Sequence, residues 1–486
     1  MRLSLILFIC GIMNVLWGVL MLIPAAVDYF SNSEQNGEVF LLCALGVSFV
    51  GTFISALAYR TWDEKPSLRE MFIITSMVWL SMGVIGGMPF YFSGLGLSFT
   101  DATFESISGL TGTGSTILTH IDQLPKGFLI WRAMTQWIGG IGIILLAITI
   151  LPILRIGGMQ MFAMENSDLS GKDAPFVTSK LKRFFGVYML LSFLCLWCLY
   201  VAGMDLFDAT AHAMTCVSTG GFSTHDLSIG YFNSPSIEWI LIFFMTLGAL
   251  PLAFTISLME HKWDRIKEDS QAKTFLIGLI IIIIPMALLM WLFMARFDDF
   301  EPTLRTLAFH VVSIVSTTGY VSENYALWGG FFVLFFFLLT VVGGCTGSTS
   351  GGIKIFRFSV LFKSLKRHLT LMVSPNAIVV PRYNGKPITD DVMLGVLSFI
   401  TIFGLTLISS ALILSLTGLD FITSLSAAAS SIANVGPGLG KLIGPDQTYQ
   451  LLPDVAKWTL AFTMILGRLE FMTIIILFLP KLWTKN

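Results

Sequence analysis

The sequence predicts an all-α polytopic membrane protein with ten transmembrane helices, and three observations carry that prediction. Of its 486 residues, 55% are apolar and only 12% charged, with a mean hydropathy of +0.80, whereas soluble globular proteins carry about 25% charged residues. Several continuous runs exceed the roughly 20 apolar residues that a helix needs to cross a bilayer about 30 Å thick. The basic residues also alternate along the chain: segments 60–69, 154–183, 259–273 and 354–389, with both termini, hold 22 of the 29 Lys and Arg. Positive charge gathers on the cytoplasmic side of a membrane protein, so both termini are expected there. The net charge of −1 identifies no partner other than membrane lipid, and nothing in the pattern suggests nucleic acid.

The first apolar run, Leu3 to Val27, follows a single basic residue as a signal peptide's would. It is too long for a signal's apolar core, and a second long run follows at once, so it reads as a retained span. In order, spans are expected near 3–28, 37–59, 69–93, 127–153, 181–203, 236–258, 272–296, 326–369 (interrupted), 390–417 and 456–480. Residues 1–68 thus supply two N-terminal helices. The six cysteines lie in or beside apolar runs. Cys195 and Cys198 have CxxC spacing, but no second cysteine pair or histidine cluster completes a metal site.

The outward connections 94–126, 204–235, 297–325 and 418–455 hold thirteen Asp and Glu against three Lys or Arg, a surface that would concentrate cations. Each contains an apolar stretch of about half a span, too short to cross, followed by a Gly- and Thr-rich turn. Irregular backbone at membrane depth is tolerated only where it is buried in protein or lines a watery cavity, so each reads as a re-entrant helix and loop facing a shared axis. Aligned without gaps, SISGLTGTGSTI (106–117), AMTCVSTGGFST (213–224), VVSIVSTTGYVS (311–322) and SSIANVGPGLGK (430–441) bring Gly114, Gly221, Gly319 and Gly438 into register. Glu105, His212, His310 and Ala429 precede these glycines by the same interval, so the four short helices are expected to share one length.

Four helix–re-entrant pore loop–helix repeats follow from this, at 69–180, 181–271, 272–389 and 390–486. With all four in one orientation, they can surround one ion pore with pseudo-four-fold symmetry. A potassium ion leaving water needs its hydration shell replaced by oxygens, which rings of backbone carbonyls supply. Glycine allows the backbone angles that aim successive carbonyls at one axis. Thr and Ser add hydroxyl oxygens without a charge that would hold the ion too tightly. The C-terminal ends of the short helices bring partial negative charge to the same point.

Gly343, Gly344, Gly347, Gly351 and Gly352, with Thr346, Ser348, Thr349 and Ser350 among them, interrupt the eighth span. Each glycine costs up to about 1 kcal/mol in a helix relative to alanine. The segment therefore reads as an intramembrane loop at 343–352 that gates the pore below the loops. Arg468 lies about halfway along the last span, where a charge should face a cavity or a partner. Glu470, two residues on, is not on its helix face. Arg468 is expected in the permeation path near the glycine loop, as part of the gate.

The motifs VSTGGFSTHD (217–226), VSTTGYVSENY (315–325), NVGPGLG (434–440), GGCTGSTSGGIKIFR (343–357) and ILGRLEF (465–471) resemble the TrkH/TrkG/KtrB superfamily of potassium uptake proteins, most of all its bacterial TrkH branch. The likeness covers essentially the whole chain, the two N-terminal helices included. It implies potassium uptake across the bacterial inner membrane by a homodimer with a pore in each protomer, under control of a cytosolic TrkA-type nucleotide-binding ring. It also implies a potassium-binding selectivity filter of Thr111, Gly112, Thr113 and Gly114; Ser218, Thr219, Gly220 and Gly221; Ser316, Thr317, Thr318 and Gly319; and Asn434, Val435, Gly436 and Gly438. The fourth loop departs from the Ser/Thr pattern, so the four-fold symmetry is approximate. Potassium is the transported ion, and no covalent or organic cofactor is expected.

An intramembrane enzyme would need catalytic groups at membrane depth. The spans hold no HExxH and no aspartate pair, so the chain is not read as an enzyme. An ion-coupled secondary transporter, driven by protons or sodium, is the alternative. Such proteins use inverted repeats, whereas these four units share one orientation. Glu105, His212 and His310 read either as packing groups of the short helices or as pH-sensitive elements. Lys363, Lys366, Arg367, His368, Arg382 and Lys386 read either as inward anchoring charge or as the docking surface of the regulatory ring.

Overall fold

The computed structural model describes residues 2–31, 33–59, 66–149, 174–294 and 299–483. The basic residues expected to face inward at Arg60, Lys65, Arg155 and Lys172, and the outward Arg296, lie outside them.

Helix dominates the described residues. α1 (Leu3–Leu20) passes through Met21 into α2 (Leu22–Phe30), and both pack on α3 (Glu34–Leu57). α4 (Leu68–Gly86) opens on a capping box of Ser67 and Glu70, which satisfies two otherwise orphaned backbone donors. Glu70 also takes the Arg2 guanidinium at 2.7 Å. After α5 (Met88–Phe92) come α6 (Phe99–Thr111), α7 (Lys126–Thr149), α8 (Ala174–Val201) and α9 (Leu206–Val217). α10 (Pro235–Ala249) and α11 (Leu252–Met259) meet at 107°, because Pro251 cannot continue the helical ladder. The expected continuous span at 236–258 is thus a bent pair.

Beyond α12 (Trp263–Glu268), the chain forms α13 (Ser270–Met294), α14 (Phe300–Val315), α15 (Gly330–Val341) and α16 (Ile355–Val373). A small hairpin of β1 (Arg382–Tyr383) and β2 (Lys386–Pro387) leads to α17 (Asp390–Leu416), α18 (Phe421–Ala433), α19 (Asp454–Arg468) and α20 (Phe471–Ile475). The last span, expected unbroken, is interrupted where Glu470 takes a left-handed φ of 59°.

By length and composition, seven described helices can cross a membrane, or eight if the bent pair counts as one. The ten expected spans exceed that number because the eighth and tenth are broken into pieces too short or, as with α16, too polar to qualify. Around the outside, Phe49, Ile281 and Leu405 are each more than 60% exposed. An apolar surface of this extent cannot face water and marks the lipid side.

α6, α9, α14 and α18 sit inside this shell, with nearly every residue of their C-terminal halves buried. They contain 13, 12, 16 and 13 residues, so at about 1.5 Å per residue none spans the bilayer. The expectation of one shared length is therefore corrected: the helices share their ends, not their starts. Ser98, Asp205 and Asp420 cap α6, α9 and α18, while Asp299 makes no side-chain cap on α14.

Candidate functional site

The chain leaves each of the four short helices by the same turn. The first residue out of helical conformation is left-handed at Gly112, Thr219, Thr317 and Asn434, with φ between 52° and 63°. The following N–H, of Thr113, Gly220, Thr318 or Val435, reaches back to the carbonyl of Ser108, Thr215, Ser313 or Ser430 at 2.8–3.0 Å, a Schellman-type closure. Next comes a second left-handed residue, Gly114, Gly221, Gly319 or Gly436. The fourth glycine in register is therefore Gly436, not Gly438, and the matching helix position is Ala427, not Ala429. Glycines at 436, 438 and 440 alternate in that loop, so an ungapped match could slip by two. Gly438 lies past the turn and donates its N–H to the Ile443 carbonyl at 3.0 Å.

The four turns close into a ring. A Cβ on Gly114 would overlap the Gly220 carbonyl oxygen, one on Gly221 that of Thr318, and one on Gly319 that of Val435. A Cβ on Gly436 would lie 2.7 Å from the Thr113 oxygen, so each loop leans on the next and the fourth returns to the first. Asn434 Nδ2 donates to Thr113 Oγ1 and to the Met464 carbonyl, both at 2.9 Å. Ser115 Oγ and Tyr449 Oη both donate to the Gly436 carbonyl at 2.9 Å, which leaves that oxygen no free lone pair. The Gly220 carbonyl accepts Gln136 Nε2 at 2.7 Å.

Side chains tie each short helix to the chain beyond its turn. Glu105 accepts the Ile117 N–H at 2.9 Å and Arg132 Nε at 2.8 Å. His212 Nε2 meets Ser223 Oγ at 2.9 Å, and His310 Nε2 accepts the Ser322 N–H at 3.3 Å. Ala427 has no polar atom, and in the fourth loop Ser426 Oγ serves instead, accepting the Leu439 N–H at 3.0 Å. Glu105, His212 and His310 are thus satisfied packing groups. Arg132, fully buried, adds a bond to the Ser223 carbonyl at 2.8 Å and so joins the first loop to the second.

The glycine segment lies directly beneath the ring. Its base is closed by Gly343 N–H to Ile353 O, Ile353 N–H to Val341 O and Ile355 N–H to Gly344 O, at 3.0–3.1 Å. Gly344 packs on Ala249, and the Gly347 carbonyl accepts the Leu252 N–H. Ser348 and Ser350 bond each other at 2.7 Å, and Gly352 packs on Gly343. At its tip, Thr349 Oγ1 donates to the Val217 carbonyl and accepts from Thr219 Oγ1, each at 3.1 Å. Gly351 N–H donates to Thr317 Oγ1 at 2.7 Å, and a Cβ on Gly351 would overlap the Ala433 carbonyl. Arg468 Nη1 donates to the Thr349 carbonyl at 2.8 Å, while Nη2 lies 3.3 Å from where a Cβ on Gly112 would sit. Segment and arginine together touch all four loops. Among the described residues no carboxylate pairs with Arg468. Lys354 turns back to the Ser350 carbonyl.

Thr111, Thr113, Ser218, Ser316, Thr318, Val435 and the other loop residues expected at the site therefore meet in one place, apart from Gly438. Arg357, Gln136 and Tyr449 were not singled out, and Glu470 was weighed only as a partner of Arg468. A polar Gln136 within an apolar run was the available signal. Arg357 and Glu470 are charges within expected spans, but nothing in the sequence pairs residues 113 positions apart.

In the segment that follows the second loop, His225 lies between Asp122 at 2.5 Å and Asp208 at 3.2 Å and stacks on Tyr231 with centroids 3.5 Å apart. Burial alone would lower the His225 pKa, but the two carboxylates outweigh it and raise the value. Three other contacts join segments flanking different loops: Arg305 with Glu238 at 2.5 Å, Asn324 with Asp446 at 2.7 Å, and Lys457 with Asp101 at 2.6 Å. No cluster of metal-ligating side chains occurs among the described residues.

A family profile, TrkH, described as "Cation transport protein", matches residues 45–485. The chain is 41% identical to the Trk system potassium uptake protein TrkI of Halomonas elongata, over 98% of this chain and 97% of that protein. It is 35% identical to the Trk system potassium uptake protein TrkH of Escherichia coli K12, over 98% of each. The crystal structure of the potassium transporter TrkH from Vibrio parahaemolyticus superposes with a TM-score of 0.91 at 31% identity, over the full length of both chains.

Proposed function

Because the chain belongs to the TrkH family of cation transport proteins, we propose that it carries potassium ions across the bacterial inner membrane through the ring of four loops. Membership in that family and the seven or eight apolar helices make it an integral membrane protein rather than an enzyme. The closed ring of four turns in one register carries the reading, because it gathers backbone and hydroxyl oxygens of four equivalent segments at one point, as dehydrating a potassium ion requires. The filter comprises Thr111 to Gly114, Ser218 to Gly221, Ser316 to Gly319 and Asn434 to Gly436. With the Gly436 carbonyl occupied by two hydroxyls, the fourth quadrant offers the ion fewer oxygens than the others.

In this reading, the interrupted helices each count as one span. Ten spans result, with both termini cytoplasmic and four repeats after an N-terminal pair. The boundaries expected at 181 and 272 fall inside α8 and α13, so the second and third repeats begin with those helices. The glycine segment and Arg468 form the gate: they fill the space below the ring, and a positive charge there raises the barrier to cations. Homodimeric assembly and control by a cytosolic TrkA-type nucleotide-binding ring complete the proposal. On α16, the exposed Lys366 and His368, with the half-buried Arg367 between them, suit such docking.

Flux of rubidium, a potassium surrogate, into liposomes holding the protein tests this, with sodium and lithium as competitors and with wild type compared to Gly319→Ser. Potassium-competed flux whose discrimination falls in the variant is expected. Flux whose selectivity ignores that glycine would remove the ring from the permeation path.

A further inference from the structure

We infer that the buried ion pair of Arg357 and Glu470 positions Arg468 and couples it to α16, so that the glycine segment is latched at both its base and its tip to one stretch of the last span. The inference rests on the gate reading above. Arg357 lies in the first turn of α16, 1% exposed, and its Nη2 meets Glu470 Oε2 at 2.6 Å. Its guanidinium lies 3.5 Å above the Phe399 ring of α17. α16 cannot shift independently of the segment's base, because Ile353 and Ile355 hydrogen-bond to Val341 and Gly344 across it.

Glu470 sits at the break in the last span, left-handed, with its carbonyl accepting the Thr473 N–H at 2.8 Å. Arg468 is the final residue of α19, on the other side of the break, and grips the segment's tip through the Thr349 carbonyl. The contacts thus form a closed circuit: tip to Arg468, two residues to Glu470, across to Arg357, then along the base back to the tip. A 30 Å³ cavity beside it is bordered by Gly351, Lys354, Arg468 and Glu470.

Charge makes the pair specific. Glu470 is the acid that pairs with a base here, while Lys354, Arg357 and Arg468 all lie nearby. Removing one partner of a buried pair leaves a charge uncompensated. Neutralising Glu470 would therefore leave three cations facing one another and push Arg468 and α16 apart. A movement of α16 at the cytoplasmic face would conversely draw on Glu470 and shift the helix break that aims Arg468. The segment's tip and its arginine then leave the path together.

The test compares wild type with Arg357→Gln, Glu470→Gln and the exchange Arg357→Glu/Glu470→Arg, all as full chains in liposomes. Two readouts are taken: resting rubidium leak, and the rate at which maleimide labels the native Cys345, which lies within the segment and is fully buried. Both single variants should raise labelling and leak about tenfold, within the range of couplings between contacting residues. The exchange should return both toward wild type, with sodium exclusion unaltered throughout. Labelling unchanged in the single variants, or raised equally in the exchange, would overturn the latch. Labelling that follows this pattern in a protein that passes no rubidium would instead uphold the latch and remove the transport reading.

Discussion

Loops one and four make their first turn through Gly112 and Asn434, whereas loops two and three make the same turn through Thr219 and Thr317. Glycine and asparagine enter the left-handed region readily, but a β-branched residue there is strained by about 1–3 kcal/mol and persists only where its surroundings over-determine it. The two strained threonines are also the two whose hydroxyls meet the glycine segment, through Thr349 and Gly351. Two turns of the ring therefore need no strained residue, and the two that do are hydrogen-bonded to the segment.

The contrast can be broken by giving the strained residue to a loop whose turn has no hydroxyl bond to the segment. Gly112→Thr should cost the most, about 1–3 kcal/mol from backbone strain alone, with added crowding against the Arg468 guanidinium. A clear fall in the thermal unfolding midpoint in detergent would register it; an unchanged midpoint would mean that the first loop is as well supported as the others.

It is sharpened by removing support while keeping the strain. Thr317→Val preserves shape but leaves the Gly351 N–H without its acceptor, a loss of about 1–3 kcal/mol. Thr219→Val should cost less, since Thr349 Oγ1 keeps the Val217 and Gly248 carbonyls at 3.1 Å. Resting rubidium leak should rank Thr317→Val above Thr219→Val above wild type; the reverse order would place the main support under loop two.

The smallest effect is expected in the segment after the second loop, where His225 joins loops one and two. Its pKa is raised on folding, so the protonated tie is fully present below the unfolded value of about 6.5 and fades as pH rises through the folded value. Wild type should lose a little thermal stability between neutral and alkaline pH, and His225→Gln should lose less. Equal slopes in the two proteins would assign the pH dependence elsewhere.

Much of this arrangement was legible in the chain. Half-span apolar stretches ending in Gly- and Thr-rich turns identified all four loops, because a stretch too short to cross must turn back. Five glycines in a span and one arginine in another identified the segment and Arg468, because neither suits lipid. The fourth register was not legible: alternating glycines at 436, 438 and 440 fit a turn equally well by spacing, and only backbone angles separate them. The bend at Pro251 and the break at Glu470 were hidden because continuous hydropathy says nothing of helix direction. The Arg357–Glu470 pair was hidden because it depends on tertiary approach alone.

The helices behind the ring end together but begin at different places, with α14 three residues longer than α6 or α18 and four longer than α9. Variation in length is thus absorbed at the N-terminal ends, where Asp299 and Glu301 are exposed, while the ends at the ring admit none. Those N-terminal ends are consequently the tolerant part of the architecture: residues inserted ahead of Phe300 would reshape the approach to the ring without altering its register, which makes that end the place to graft an epitope or a new charge.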